Sequence, residues 1–320
     1  MLAVASKDDI RKIGEPLNLL INQTSWPHPN YDVRTSGVFD VIRSGALAIV
    51  AHLSYCAIGS DERKHPHRAK VVPCRAYQRL LLAEDFDFVE VMLGLDFAGI
   101  RIVRTERFVA ILVPVKRRNM ILVGIRGTQF AYDWAINLRI NKRKLFDDIE
   151  FHAGFFDEAE KLGKLIMELR FERDLEDRLP TMFFAGHSLG GAVAALMAST
   201  TNACPVAGSY TYGSPRVCSA SAMRAIKQPF AIRRSLDIVP HCPPSLFNYA
   251  NFKVEFDPAG APFKPADSQE MYFFISWIAG LAMSSFLENH SMERYRAEVL
   301  EVVRQQPSVQ PYWRFTELAI

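Results

Sequence analysis

The hexapeptide Gly186-His187-Ser188-Leu189-Gly190-Gly191 constrains this chain more than any other feature. It lies between a short apolar run, Met182-Phe183-Phe184-Ala185, and an alanine-rich stretch at about 192–201. A bare G-x-S-x-G turns up by chance in roughly one chain in ten of this length, so the value is in the setting: apolar strand, glycine-rich turn, helix. A serine that is to act as a nucleophile must stand on a sharp turn with its Oγ above the sheet edge. Glycines two residues before and two after leave room for that turn. The helix that follows immediately aims its open N–H groups and the positive end of its dipole at the reacting carbon. Without partners the same hexapeptide would be only a strand–helix turn, and the rest of the chain has to decide between the two.

Around it the pattern is that of an α/β protein. Residues 108–115 form a strand-like apolar run, Lys116-Arg117-Arg118-Asn119 a turn, and 120–125 a second run, which predicts a hairpin. An amphipathic helix is expected over 155–170, then strands over 181–185, 206–212 and 230–234, with a helix over 192–201. Apolar strands alternating with helices predict a mostly parallel central sheet with helices on both faces. Residues 1–100 read mainly as helix, with an apolar segment over 39–53, helix-like spacing over 75–82 and a polar loop over 60–68 between them. Repeats, low-complexity tracts and Gly/Ser linkers are missing from the sequence. We read 1–320 as a single domain, with a helical N-terminal layer over 1–100 and a catalytic core over 101–320.

A serine hydroxyl is a poor nucleophile at neutral pH and needs a base, and in this kind of sheet the partners follow in the order serine, acid, histidine. Asp237 lies at the end of the run Phe230-Ala231-Ile232-Arg233-Arg234-Ser235-Leu236-Asp237, expected to close a strand at the sheet edge where open α/β sheets place their sites. Two histidines compete for the base. His241, only 4 residues on and flanked by Pro240 and Pro243, is poorly placed to turn its ring back between Asp237 and Ser188. His290 has a long connection and is preferred. His187, beside the nucleophile, is expected to point away from it. A developing oxyanion needs fixed donors. The N–H of Leu189 is one, and the loop Arg126-Gly127-Thr128-Gln129 after an earlier strand supplies the other through Thr128, although Thr128 taken alone reads better as a helix N-cap.

With these residues assembled, the sequence resembles the class 3, or fungal triacylglycerol lipase type, α/β hydrolases. The matching pieces occur in the family's order: Ile125-Arg126-Gly127-Thr128, Asp133-Trp134 with Asn137-Leu138, His152-Ala153-Gly154-Phe155, the Ser188 hexapeptide, Tyr210-Thr211-Tyr212-Gly213-Ser214-Pro215-Arg216-Val217, Asp237-Ile238-Val239-Pro240, and Asn289-His290 with Tyr295. The resemblance implies an α/β-hydrolase fold, a Ser188–Asp237–His290 triad, an oxyanion hole from Thr128 and Leu189, and hydrolysis of acylglycerol esters. It also implies a lid over about 129–138, with Phe130, Tyr132, Trp134 and Ile136 as its apolar contacts. The expectation is a serine ester hydrolase, a lipase acting on lipid or ester substrate at a lipid–water interface. A phospholipase, galactolipase or short-chain carboxylesterase shares all these residues. A lipase-like binding or regulatory protein would keep the fold without turnover.

Composition narrows the alternatives. With 38 Lys+Arg against 35 Asp+Glu spread along 320 residues, a dedicated nucleic-acid binder is not expected. The five cysteines, Cys56, Cys74, Cys204, Cys218 and Cys242, show neither C-x-x-C nor an even framework and read as isolated buried thiols. His65 and His67 sit in a basic loop without a carboxylate cluster, so no metal site and no cofactor are expected. The start, Met1-Leu2-Ala3-Val4-Ala5-Ser6-Lys7, lacks a basic segment followed by a long apolar run. It reads as a cytoplasmic or membrane-peripheral protein, or a secreted one if a signal has been removed. Residues 272–287, sixteen without a charge, fall short of the roughly 20 a membrane-spanning helix needs. They are expected to form a buried helix, with Phe273, Trp277 and Phe286 lining the acyl route or touching lipid.

Overall fold

The computed structural model describes residues 5–24, 26, 39–57, 83–105, 107–127, 141–146, 149–263 and 289–310. Three helices come first: α1 (Lys7–Gln23), α2 (Val41–Cys56) and α3 (Ala83–Gly94). Strands β1 (Arg101–Arg104), β2 (Val109–Val115) and β3 (Met120–Arg126) follow, then a hairpin of β4 (Lys142–Phe146) and β5 (Ile149–His152). Helix α4 (Ala153–Met167), β6 (Thr181–His187), α5 (Leu189–Thr200), β7 (Val206–Tyr212), β8 (Phe230–Ile232), β9 (Glu255–Phe256) and α6 (Met292–Arg304) complete the order. The main sheet has seven strands in the order β1-β2-β3-β6-β7-β8-β9. Strands β1, β2 and β3 pair antiparallel, and β3, β6, β7, β8 and β9 pair parallel. This is the mostly parallel sheet expected from the alternation of strands and helices, and the α/β-hydrolase fold that the resemblance implies.

Strand β6 shows why the sheet is covered on both sides. Its residues alternate between two cores: Phe183 and Ala185 join Leu47, Ile49, Val50, Tyr295 and Val299 of α2 and α6, while Met182 and Phe184 join Leu162, Ile166, Val193 and Leu196 of α4 and α5. A strand buried on both faces has no polar side, and for that reason its sequence is a continuous apolar run. Each large apolar side chain of this kind contributes about 1.5–3 kcal/mol on burial. Helix α2, the apolar segment seen over 39–53, lies directly on β3 and β6, and α1 packs over it. The helical N-terminal layer is thus one full face of the central sheet. Its polar ends are tied down locally: Ser6 and Asp9 form a reciprocal capping box on α1, and Asp40 caps α2.

The β2–β3 hairpin is present, with Asn119 in the left-handed region closing its turn. Three expectations are corrected. Helix α5 begins at Leu189 rather than near Ala192, because Ser188 itself is its N-cap. Strand β8 ends at Ile232, so Asp237 does not close a strand but lies in the turn beyond it, just before the 3-10 turn Val239–His241. Helix α4 starts at Ala153 because His152 Nδ1 accepts the Phe155 N–H at 3.3 Å. Strands β1, β4, β5 and β9 had no counterpart in the reading; β1 and β4 are rich in Arg and Lys, and β9 has two residues. The segments 60–68, 75–82, 129–138 and 272–287, with Cys74, lie outside the described residues. Among the described residues no helix is long and apolar enough to cross a membrane.

Helix α2 approaches β3 so closely that Gly124 is required there: a Cβ would press on the Val50 carbonyl group, whose carbon lies 2.9 Å from it. Gly163 is the opposite case, a glycine inside α4 whose Cβ would meet nothing within 4 Å. Gly124→Ala is expected to destabilise the fold by about 1–3 kcal/mol through overpacking, and Gly163→Ala to stabilise it by about 0.5–1 kcal/mol through helix propensity. Urea unfolding of the two variants against the parent checks both signs; a stable Gly124→Ala protein would contradict the close helix–sheet contact.

Candidate active site

Ser188 sits at the C-terminal end of β6 with φ 58° and ψ −133°. A non-glycine residue in that region carries about 1–3 kcal/mol of strain and persists only where its surroundings enforce it. The enforcement is visible. The Ser188 N–H is held by the Tyr212 carbonyl at 3.0 Å, and its carbonyl accepts from Gly191 at 2.9 Å as the first helical bond of α5. A Cβ on Gly186 would strike the Gly190 carbonyl, and one on Gly190 would strike the Ile125 carbonyl and come within 2.7 Å of the Gly127 nitrogen. The two motif glycines therefore let strand, turn and helix lie on one another and against the end of β3. Leu189 N–H precedes the first helical bond, at the open end of α5, where orphan donors face an anion.

Asp237 is completely buried, and its carboxylate accepts three hydrogen bonds. Oδ1 takes the Val239 N–H at 2.9 Å, and Oδ2 takes His290 Nδ1 at 2.8 Å and the Tyr295 hydroxyl at 2.7 Å. Three donors satisfy a charge that would otherwise be costly to bury. With its Nδ1 proton given to a carboxylate, the neutral His290 ring offers Nε2 as a proton acceptor. Room for the Asp237 carboxylate is made by Gly213, in the left-handed region at φ 58°, whose Cβ would lie 2.6 Å from Asp237 Oδ2 and 3.0 Å from the Tyr295 ring. Gly213 follows Tyr212, which holds Ser188, so Ser188 and Asp237 are positioned by consecutive residues of one chain.

His241 does not join this group. Its Nε2 meets the Arg233 guanidinium at 2.8 Å, and its carbonyl accepts from Arg216 at 2.9 Å. It belongs to a buried Arg233–Glu255 cluster instead. Of the two histidines, His290 is the one bonded to Asp237, and His241 is bonded to Arg233. Arg234 supports the base as well: its side chain pairs with Glu298 and donates to the Asn289 carbonyl beside His290, and its N–H donates to the Tyr295 oxygen at 3.1 Å. Thr128, Phe130, Trp134 and Trp277 lie outside the described residues. Gly127, the residue before Thr128, is placed: a Cβ there would come 3.1 Å from the Ser188 Cβ. Cys56, Cys204, Cys218 and Cys242 are buried free thiols, with burial raising Cys242 to about 12. No competing nucleophile arises from them. Among the described residues no cluster suits a metal.

Sequence reading missed the role of His187. Its ring is buried, lies 4.5 Å from the His290 ring, and bonds the His290 carbonyl through Nε2 at 2.6 Å and the Tyr55 hydroxyl through Nδ1 at 2.7 Å. The signal available was the strand alternation, which sends Ala185 and His187 to the face covered by α2.

Burial keeps His187 well below the usual histidine range, with the neighbouring His290 adding to it, and takes His52 and His241 down to about 3, with Arg296 and Arg233 respectively as further causes. These rings fold neutral and take up protons on unfolding, so their contribution is present above an unfolded-state pKa of about 6.5 and is lost as pH falls towards 3. Stability measured by urea unfolding is expected to decline steadily from about pH 6.5 downwards, with a shallower decline in His241→Gln. An unchanged stability between pH 7 and 5 would contradict it.

Residues 122–247 match the family described as Lipase (class 3). A secreted mono- and diacylglycerol lipase of Fusarium solani is 28% identical over 153 residues, which is 45% of this chain and 46% of that protein, so the chain spans about half the length of the curated relative it matches. Among solved structures, lipase II from Rhizopus niveus is 16% identical, covering 68% of this chain and 80% of its own, with a TM-score of 0.46. The Rhizomucor miehei lipase propeptide complex is 21% identical, covering 63% and 70%, with a TM-score of 0.44. The stretch from β3 through Ser188 and Asp237, residues 122–247, is the part of the chain that is similar to the class 3 lipases, and it lies within an α/β-hydrolase fold.

Proposed function

We propose that the chain is a serine hydrolase that cleaves carboxylic esters of acylglycerols through an acyl-enzyme, as a lipase. The observation that carries this reading is the buried His290–Asp237 pair in a chain whose motif serine is held in a strained strand-to-helix turn. Ser188 Oγ attacks the ester carbonyl while His290 Nε2 takes its proton, and Asp237 holds the ring in that tautomer and stabilises the imidazolium. The tetrahedral oxygen is met by the Leu189 N–H and by Thr128, whose loop leaves Gly127 against Ser188. His290 then protonates the departing alcohol, and water, activated by the same ring, releases the acid. No metal or organic cofactor takes part. The relative from Fusarium solani, a mono- and diacylglycerol lipase by name, supports acylglycerols as the substrate class. So does Leu236, 59% exposed one residue before Asp237, as an apolar approach to the site. Phe130 and Trp134 in a lid, and Trp277 near the base, are the proposed acyl contacts.

Ser188→Ala and His290→Ala should each lower kcat on a soluble nitrophenyl ester by about 10⁴–10⁶, while His241→Ala stays within about tenfold of the parent once folded. Inactivity of His241→Ala with an active His290→Ala would overturn the assignment of the base. Triacylglycerol, phospholipid and soluble short-chain esters assayed side by side distinguish a lipase from a phospholipase or an esterase.

A further inference from the structure

The tautomer of His187 follows from its partners. Nε2 faces a backbone carbonyl, which only accepts, so Nε2 carries the hydrogen and donates to His290. Nδ1 of the neutral ring is then the acceptor, and the Tyr55 hydroxyl donates to it at 2.7 Å. The Tyr55 oxygen also packs against Gly127, where a Cβ would come 3.1 Å from it. The result is a directed chain, Tyr55 O–H to His187 Nδ1 and His187 Nε2–H to the His290 carbonyl, with Gly127 packed against its Tyr55 end. It has one possible polarity, and it is buried at its His290 end and part-buried at Tyr55. Its two ends are the two parts of the site not fixed by β6 and β7: the loop leading to Thr128, and the loop carrying the base. Tyr55 comes from α2, outside residues 122–247 and far away in sequence.

We propose that Tyr55 and His187 are positioning residues that set the base His290 and the oxyanion loop at Gly127 in register with each other. This rests on the serine hydrolase reading. A histidine merely filling core space would need neither a tyrosine donor nor a bond to the backbone of the base. Here the ring lies against His290, with centroids 4.5 Å apart and planes tilted by 31°, and is bonded to that residue's own carbonyl, so a shift of His187 moves the imidazole that must reach Ser188. Misplacement of a reacting group by about 1 Å costs up to about a hundredfold in rate.

Tyr55→Phe removes one oxygen and keeps the ring, and His187→Phe removes both the acceptor for Tyr55 and the donor to the His290 carbonyl while keeping a ring. Each is expected to lower kcat on a soluble nitrophenyl ester by about ten- to a hundredfold with KM within about twofold, and to slow fluorophosphonate labelling of Ser188 in parallel. In the double variant the second change should cost less than about twofold, because the chain is already broken. Additive losses, an effect confined to KM, or full kcat in Tyr55→Phe would overturn the proposal. A parent protein that fails to label at Ser188 would overturn the hydrolase reading and this inference with it, whereas a labelled parent with equally labelled variants overturns this inference alone.

Discussion

The structure turns on a backbone conformation that a serine adopts only under compulsion. Ser188 at φ 58° is held by strand β6 on one side, helix α5 on the other and the Tyr212 carbonyl beneath. Removing any of these would let the turn relax into an ordinary helix start. The compulsion comes from close packing of backbone on backbone: Gly186 against Gly190, and Gly190 against the end of β3. A parallel sheet with both faces covered makes such packing available, because β3, β6 and β7 are locked in register by burial rather than by their turns. The reactive serine is therefore stabilised by the whole sheet, and the strain is borne by the apolar core on its two faces.

The electrostatics of the site follow from the same burial. Asp237 has no accessible surface and meets its charge with three hydrogen bonds, while the nearby arginines are engaged elsewhere, Arg233 with Glu255 and Arg234 with Glu298. Had either guanidinium paired with Asp237, the carboxylate would have been less able to stabilise a positive imidazole during the reaction. Tyr295 is neutral, held so by burial and by the adjacent Asp237, and can donate to the acid without competing for its charge. A neutral His187 beside His290 adds no repulsion when His290 becomes cationic. The site thus contains one fixed negative charge, a helix N-terminus and a set of neutral dipoles, an arrangement suited to a charge that moves.

What was legible in the sequence was what obeys a short-range rule. The Ser188 turn, the helices at 39–53 and 155–170, the β2–β3 hairpin and the strands at 181–185 and 206–212 all declared themselves by apolar periodicity or by glycine placement. Asp237 and His290 were paired from chain order and from the stiffness of Pro240 and Pro243, and the structure brings the two side chains to 2.8 Å of each other. What was not legible depended on contacts across the chain. Strand β9 pairs only because β8 offers an edge, and the β4–β5 hairpin is anchored by Cys218 and Val217 rather than by its own sequence. Tyr55 is invisible as a site residue because it stands 132 positions from His187 on a helix that reads as plain core.

That last case shows how the two halves of the chain depend on one another. Residues 122–247 hold Ser188, Asp237 and the glycines that set the turn, yet His290, bonded to Asp237, arrives from beyond them, on the segment before α6. The loop after β3 and the loop before α6 are far apart in sequence. The face of the sheet between them is covered by α2, and a helix lying there can reach both loops with a single side chain. Tyr55, near the C-terminal end of α2, has that reach, touching Gly127 and His187 with one oxygen. The close α2–β3 contact at Gly124 fixes how far the helix stands from the sheet, and so fixes where that oxygen lies. The N-terminal layer is accordingly part of the site's geometry as well as part of its core.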